Sequence, residues 1–149
     1  MKPTTTYKKK SSAIVLVGGC FDMLHFGHIS FLQQAKSLGS YLIVALESDE
    51  NVKHAKGPSR PIHTQHQRKA MLVALSCVDE IIELPPMKTD AEYNDFVLTI
   101  HPHIIAITEG DPIKNKKEIQ AASIGAQVVE IPKIHTPSTS QLAKLLNLE

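Results

Sequence analysis

The stretch AIVLVGGCFDMLHFGH, residues 13–28, joins an apolar run to two glycines, an aspartate and two histidines. The β-branched run before Gly18 and Gly19 predicts a short buried strand that ends at the glycines. Apolar side chains then recur at helical spacing in GHISFLQQAKSLG, residues 27–39, which predicts a helix. A packed core does not require this mixture of residues between a strand and a helix, so the junction is the first candidate site.

The same succession of apolar run and helical pattern continues along the chain. Further strands are predicted at 41–48, 78–84, 103–108 and 126–131. Further helices are predicted at 64–77, 91–100, 116–125 and 138–148, with a polar loop at 49–64. Because most strands are apolar on both faces and alternate with helices, we expect a parallel sheet that helices cover on both sides. The predicted fold is therefore α/β: one domain, residues 13–149, with a Rossmann-like, doubly wound, five-stranded parallel sheet, after a flexible basic tail at 1–12.

Composition excludes several classes of protein. Sixteen Lys and Arg against fifteen Asp and Glu disfavour nucleic-acid binding, which usually needs a basic excess. The two cysteines, Cys20 and Cys77, form neither a CxxC pair nor a disulfide framework, which favours a cytoplasmic setting. The apolar runs are too short to span a membrane, and MKPTTTYKKKSS lacks the apolar core of a secretory signal. We therefore expect neither a nucleic-acid nor a membrane partner.

The first junction has the features of an anion site. Gly18 and Gly19 let a ligand approach the backbone, and the following helix presents unpaired N–H groups at its start. His25 and His28 are three residues apart and share a face of the first helical turn, where both can donate hydrogen bonds to phosphate. A plain turn with two surface histidines is the alternative. A metal site that includes Cys20 is disfavoured, because Cys-x4-His-x2-His is not a usual zinc spacing.

Three other segments carry candidate ligand contacts. The hydroxyl run STS at 138–140 stands where the last helix begins, and it predicts either phosphate binding or simple N-capping. The polar segment 49–64 and the helix after it carry four cations, which form either a basic flap over a polyphosphate or solvated charges: Lys53, Lys56, Arg60 and Arg68. A Gly57–Pro58 hinge would make that flap mobile. Asp111, in TEGDP, has an ordinary turn role as its alternative.

Together these segments resemble a known family. GGCFDMLHFGH resembles the GxFDxxHxGH signature of the cytidylyltransferase-like nucleotidyltransferases, which belong to the wider HIGH-motif superfamily. STSQL, residues 138–142, resembles the family's late STT-x-hydrophobic motif. KGPSRP, residues 56–61, is similar to the bacterial heptose-phosphate adenylyltransferases, and TEGD at 108–111 stands where they carry KGGD. The resemblance extends from about residue 14 to 146 and includes the glycerol-phosphate cytidylyltransferases.

The resemblance implies a reaction in which a nucleoside triphosphate and a phosphorylated acceptor form a nucleoside-diphosphate product and pyrophosphate. It implies catalytic or phosphate-binding roles for His25, His28, Lys56, Ser138 and Thr139. It implies nucleotide-binding roles for Gly19, Cys20, Phe21, Asp22, Gly27, Arg68, Gly110, Asp111 and Ser140. Asp22 would orient the loop or a magnesium-bound water, and no residue is implied as a direct metal ligand.

The chemistry of this reaction agrees with the residues. A phosphate monoester has a second pKa of about 6 and is mostly ionised at pH 7, so no general base is needed. Catalysis then consists of positioning and charge stabilisation, which suits histidines, lysine, hydroxyls and backbone amides. Mg2+ is expected with the triphosphate, because it binds mainly through substrate phosphates. The resemblance implies ATP or CTP as the donor and a sugar or polyol phosphate as the leading acceptor, and it is compatible with a homodimer.

Several residues depart from the family pattern and leave the acceptor open. Thr108 and Glu109 replace a Lys and a Gly, Ser76 replaces an Arg, and Lys133 and His135 replace an Arg and a Glu. Phosphopantetheine, nicotinamide mononucleotide and flavin mononucleotide are alternative acceptors within the same superfamily. A nucleotide-binding regulator without catalysis, or an RNA-binding module that uses YKKK and the basic flap, are the alternatives from other classes.

Overall fold

The computed structural model describes residues 12–135 and 139–147, with only the backbone at 139 and 140. Within these residues five strands are present: β1 (Ile14–Gly19), β2 (Tyr41–Leu46), β3 (Glu80–Glu83), β4 (Ile104–Thr108) and β5 (Gln127–Ile131). The same residues contain six helices: α1 (Phe26–Ser37), α2 (Asp49–Lys56), α3 (Gln65–Val73), α4 (Asp90–Ile100), α5 (Lys114–Ser123) and α6 (Thr139–Leu145). No helix in this described part is long and apolar enough to cross a membrane.

The strands form one parallel sheet in the order β3-β2-β1-β4-β5. The chain builds outward from β1 through β2 to β3, and then crosses to β4 and β5 on the other side of β1. The strand order therefore reverses between β1 and β4, and a crevice opens there beyond the carboxyl ends of the strands. This topology confirms the predicted doubly wound α/β sheet and places the glycine- and histidine-bearing turn after β1 at the switch point.

Both faces of the sheet are covered, as the apolar strands predict. On one face Val15 and Val17 of β1 pack in a core with Leu32 of α1 and Leu72 of α3. On the other face Leu16 packs in a second core with residues of α4 and α5. Because neighbouring residues of a strand point to opposite faces, this arrangement needs apolar residues on both faces of the inner strands, as β1, β2 and β4 have. The edge strands β3 and β5 include glutamates.

The prediction of a loop at 49–64 is wrong in its first half, where α2 runs over Asp49–Lys56. The Ser48 side chain accepts a hydrogen bond from the backbone N–H of Asn51, and acidic residues occupy the first turn while basic residues occupy the last. Val52 is its buried residue, so the helix shows no apolar stripe that periodicity could detect. The helix ends at Gly57, where φ is 108°.

Candidate active site

The turn between β1 and α1 is shaped by positive backbone φ angles. Phe21 and Met23 have φ of 47° and 56°, which turn the chain sharply between the strand and the helix. A Cβ at Gly19 would lie 2.9 Å from Cε2 of Phe21, so the close approach of this ring to the strand end requires glycine. The turn ends at His25, which is the N-cap residue of α1.

The two histidines cap the helix reciprocally. The backbone N–H of Gly27 donates to Nδ1 of His25 at 3.1 Å, and the backbone N–H of His25 donates to Nδ1 of His28 at 3.2 Å. Their ring centroids are 3.9 Å apart. This is the geometry of a capping box, with imidazoles in place of the usual serine and glutamate. The spacing of three residues predicted a shared face, and the structure adds that both rings are fixed by the backbone.

These hydrogen bonds decide which nitrogen of each ring carries the proton. A neutral imidazole that accepts at Nδ1 carries its proton on Nε2, where it can donate to a ligand. Burial lowers the pKa of His25. Burial, followed by the charges of His25 and Lys56, lowers the pKa of His28 to about 4. Both rings are therefore neutral donors at pH 7, and their hydrogen bonds to a phosphate do not require an imidazolium.

A cavity of about 420 Å3 opens over this turn at the switch point, a size that suits a small-molecule ligand. Nine residues that the family resemblance implicates line it: Gly19, Cys20, Phe21, Asp22, Gly27, His25, His28, Lys56 and Asp111. Gly110 has φ of 78° in the turn after β4 and is not among the described lining residues. Ser138 lies outside the described residues, and Thr139 and Ser140 are described only as the backbone at the start of α6.

Asp22 connects the histidine turn to the segment after α2. Its buried carboxylate accepts hydrogen bonds from Nε of Arg60 at 2.8 Å and from the backbone N–H groups of Ile62 and His63 at 2.7 and 3.1 Å. Burial raises the pKa of Asp22, but these hydrogen bonds outweigh it and hold that pKa below its ordinary value. Of the two roles considered for Asp22, orientation of the loop agrees with these contacts.

The prediction of a basic flap is wrong for two of its four cations, Arg60 and Arg68, which are buried. Lys56 ends α2, is exposed and lines the cavity, whereas Lys53 is exposed on the same helix away from that lining. The Arg60 side chain is buried against Asp22. Arg60 also lines the cavity, but with 3% exposure it is part of the fixed wall and not of a mobile, solvated flap.

Arg68 is likewise an interior residue and not a surface phosphate contact. Its side chain is fully buried and donates to the carbonyl oxygens of Cys20, Glu47 and His63 at 2.7, 2.9 and 3.1 Å. It also pairs with Asp49 at 2.8 Å. These bonds join the ends of β1 and β2 to α2 and α3, so the prediction that Arg68 binds nucleotide directly is replaced by a positioning role.

Lys117 is a cavity residue that sequence reasoning missed. The Nζ of Lys117 lies 2.7 Å from Oδ2 of Asp111, and both residues line the cavity. The other carboxylate oxygen of Asp111, Oδ1, accepts a hydrogen bond from the backbone N–H of Ile113 at 2.9 Å. In the sequence Lys117 is one of three lysines in KNKK, so nothing distinguishes it from a solvated charge. Thr108 and Lys133, two of the departures from the family pattern, also line the cavity.

A family model described as cytidylyltransferase-like matches residues 16–141. The chain belongs to this cytidylyltransferase-like family. It is 39% identical over 133 residues to the bifunctional protein HldE of Helicobacter hepaticus, which covers 89% of this chain and 26% of that protein. It is 36% identical to the FAD synthase of Thermococcus sibiricus, with 93% of each chain covered.

Solved structures of related proteins agree with this family membership. The lipopolysaccharide core biosynthesis protein of Thermoplasma volcanium superposes with a TM-score of 0.66 at 26% identity, covering 82% of this chain and 98% of that one. The fold also resembles that of the pantoate-β-alanine ligase of Francisella tularensis, with a TM-score of 0.57 at 15% identity. The family that the motifs predicted is thus confirmed, and the chain spans only about a quarter of the length of HldE.

Proposed function

We propose that this protein is a nucleotidyltransferase that transfers a nucleoside monophosphate from ATP or CTP to a small phosphorylated metabolite and releases pyrophosphate, with a sugar or polyol phosphate as the leading acceptor. The observation that carries the proposal is the pair of neutral imidazoles, His25 and His28, on a cavity at the switch point of the sheet. Fixed donors of this kind stabilise charge that develops on a phosphoryl group.

In the proposed reaction an oxygen of the acceptor's phosphate attacks the α-phosphorus of the triphosphate. The bond from that phosphorus to the oxygen that bridges to the β-phosphate breaks, and pyrophosphate leaves with the electron pair. The attacking phosphate is already ionised at pH 7, so no side chain has to remove a proton. The Nε2–H groups of His25 and His28 donate to the α-phosphate. Lys56, at the C-terminal end of α2, offsets negative charge on the phosphates.

The remaining contacts complete the proposed phosphate site. Backbone N–H groups near Cys20 and Phe21 line the triphosphate, and the hydroxyls of Ser138, Thr139 and Ser140 bind its β- and γ-phosphates. No cluster of three or more potential metal ligands exists among the described residues, and the cavity carboxylates Asp22 and Asp111 are already bonded to protein groups. Mg2+ is therefore proposed to bind through the triphosphate itself, where it would neutralise phosphate charge.

A second acceptor has a specific observation in its favour. The FAD synthase of Thermococcus sibiricus aligns with 93% of this chain at 36% identity, which supports flavin mononucleotide as the alternative acceptor.

The first test is thermal unfolding with ATP, CTP, GTP and UTP, each with and without Mg2+. A triphosphate at 100 times its Kd stabilises the fold by about 2.7 kcal/mol, which raises Tm by a few degrees. The nucleotide that shifts Tm is then assayed for pyrophosphate release with sugar phosphates, polyol phosphates and flavin mononucleotide. A Tm shift without pyrophosphate release from any acceptor would favour the regulator alternative, and no shift with any triphosphate would contradict the proposal.

A further inference from the structure

A second cavity, of about 620 Å3, adjoins the cavity over the histidine turn, which is called the nucleotide cavity from here on. Six hydrogen-bonding side chains contribute to its lining: Glu47, Glu50, Asn51, His54, Lys88 and Tyr93. Cys20, which follows β1, lines both cavities, so the two meet beside the histidine turn. Burial raises the pKa of the Cys20 thiol, which therefore forms a neutral boundary between the two cavities.

A carboxylate is held in a fixed position on the wall of this second cavity. The Tyr93 hydroxyl donates to Oε1 of Glu47 at 2.8 Å, and Nδ2 of Asn51 donates to Oε2 of Glu47 at 3.1 Å. Asn51 Nδ2 also lies 2.9 Å from the carbonyl oxygen of Met87, which orients the amide. Burial, together with the neighbouring Glu47, raises the pKa of Tyr93 to about 12, so the hydroxyl remains a donor at any physiological pH.

The backbone of Glu47 is fixed as firmly as its side chain. Its N–H donates to the carbonyl oxygen of Gly19 at 3.0 Å, and its carbonyl oxygen accepts from Arg68 at 2.9 Å. The carboxylate is thus tied to the same strand end that carries the histidine turn. A carboxylate offers about four acceptor positions, and Tyr93 and Asn51 occupy one on each oxygen. One acceptor position therefore remains on each carboxylate oxygen, and these two positions can accept hydrogen bonds from two neighbouring hydroxyl groups of a ligand.

We infer that the second cavity binds the carbon chain of the acceptor, and that Glu47, positioned by Tyr93 and Asn51, recognises neighbouring hydroxyl groups on it. The acceptor is then a phosphate ester of a polyol, a chemistry that sugar phosphates share with the ribityl phosphate of flavin mononucleotide. Lys88 pairs with Glu50 at 3.3 Å, whereas the carboxylate of Glu47 has no cationic partner among its described contacts and disfavours a second anionic group beside it. The acceptor's single phosphate therefore points toward Cys20 and the nucleotide. This inference rests on the proposed function.

The test compares two conservative variants with a matched control. Glu47→Gln and Tyr93→Phe are expected to raise the KM for the acceptor about tenfold, because each weakens a hydrogen bond that involves a charged group. The Kd for the triphosphate and kcat should change less than about twofold, whereas general damage to the site would move all three. Tyr41→Phe is the control, since it removes a tyrosine hydroxyl that donates to Glu80 at 3.2 Å away from both cavities.

A steric variant covers the case in which the polar variants fold poorly. Ala55 is exposed on α2 and lines only the second of the two cavities. Ala55→Phe should raise the acceptor KM at least about tenfold and leave triphosphate affinity unchanged, because a ring there occupies space that the acceptor needs.

Acceptor analogues distinguish failure of this inference from failure of the proposed function. Wild-type protein is assayed with glycerol 3-phosphate, hexose 1-phosphates, flavin mononucleotide and propyl phosphate, which has no hydroxyl. A preference for hydroxylated acceptors that Glu47→Gln abolishes would support the inference. The ester that the wild-type protein prefers would then show whether the polyol belongs to a sugar phosphate, to glycerol phosphate or to a flavin. Equal use of propyl phosphate, or an unchanged acceptor KM in Glu47→Gln and Ala55→Phe, would overturn it while the transferase function stands. No pyrophosphate release from any acceptor would overturn both.

Discussion

Replacement of His28 by alanine tests the role of the fixed imidazoles most sharply. His28 is one of two neutral Nε2–H donors on the cavity at the switch point, where we propose that the triphosphate binds. Removing one donor that acts on transition-state charge typically costs a factor of about 100 to 1000 in kcat, or about 2.7–4 kcal/mol. Because the group is neutral, the loss reflects a missing hydrogen bond and not a missing ion pair. We therefore expect kcat of His28→Ala to fall at least about 100-fold, measured as pyrophosphate release at saturating substrates.

The same substitution also removes a helix cap, so the assay needs a control for stability. Nδ1 of His28 accepts the backbone N–H of His25, and loss of such a cap costs about 1 kcal/mol. His103 offers the match, because its Nδ1 accepts the backbone N–H of Ile14 at 3.0 Å at the opposite end of β1. His103→Ala should lose comparable stability and keep full kcat. A folded His28→Ala protein that retains more than about a tenth of wild-type kcat would refute the proposed role.

Three further predictions concern charge and pH. The pKa of His28 is lowered from 6.5 to about 4 in the folded protein. Between these two pH values the unfolded chain is protonated at His28 and the folded chain is not, so protonation favours unfolding as the pH falls. The free energy of unfolding, measured by urea titration, should therefore fall between pH 6.5 and 4 by at most about 3 kcal/mol, and less steeply in His28→Ala. Asp22→Asn removes the carboxylate that pairs with the buried Arg60 and should cost about 3 kcal/mol or more. The exposed Asp90→Asn should cost less than about 1 kcal/mol, and equal losses would contradict a stabilising buried pair. Lys56→Ala should raise the KM for the triphosphate severalfold while Lys53→Ala leaves it unchanged, and equal effects would mean that Lys56 does not contact phosphate.

The sheet could be predicted from the sequence because its three inner strands, β1, β2 and β4, are apolar on both faces and the strands alternate with helical patterns. The helix at Asp49–Lys56 could not, because a polar helix with one buried residue, Val52, has no apolar period. Its signals were instead the Ser48 cap and the order of acidic and basic residues, which are individually weak.

The candidate site divides along similar lines. The histidine spacing predicted a shared helical face, because three residues nearly complete a helical turn. The burial of Arg68 was not predictable, since its partners Cys20, Glu47 and Asp49 lie in two segments, at the ends of β1 and β2, that are distant from Arg68 in sequence. The Glu47–Asn51–Tyr93 network could not be predicted for the same reason, because Tyr93 lies on α4, far from the other two residues in sequence. Side chains that meet only through tertiary packing leave no local pattern in the sequence.

The most direct test of nucleotidyl transfer follows the α-phosphate itself. Wild-type protein is incubated with ATP or CTP labelled at the α-phosphorus, Mg2+ and the panel of phosphorylated acceptors, and the products are separated. The account predicts that the label moves into a nucleoside-diphosphate product together with one equivalent of unlabelled pyrophosphate, and that His28→Ala slows both at least about 100-fold. Label that stays in the triphosphate with every acceptor, in a protein that binds the nucleotide, would contradict it.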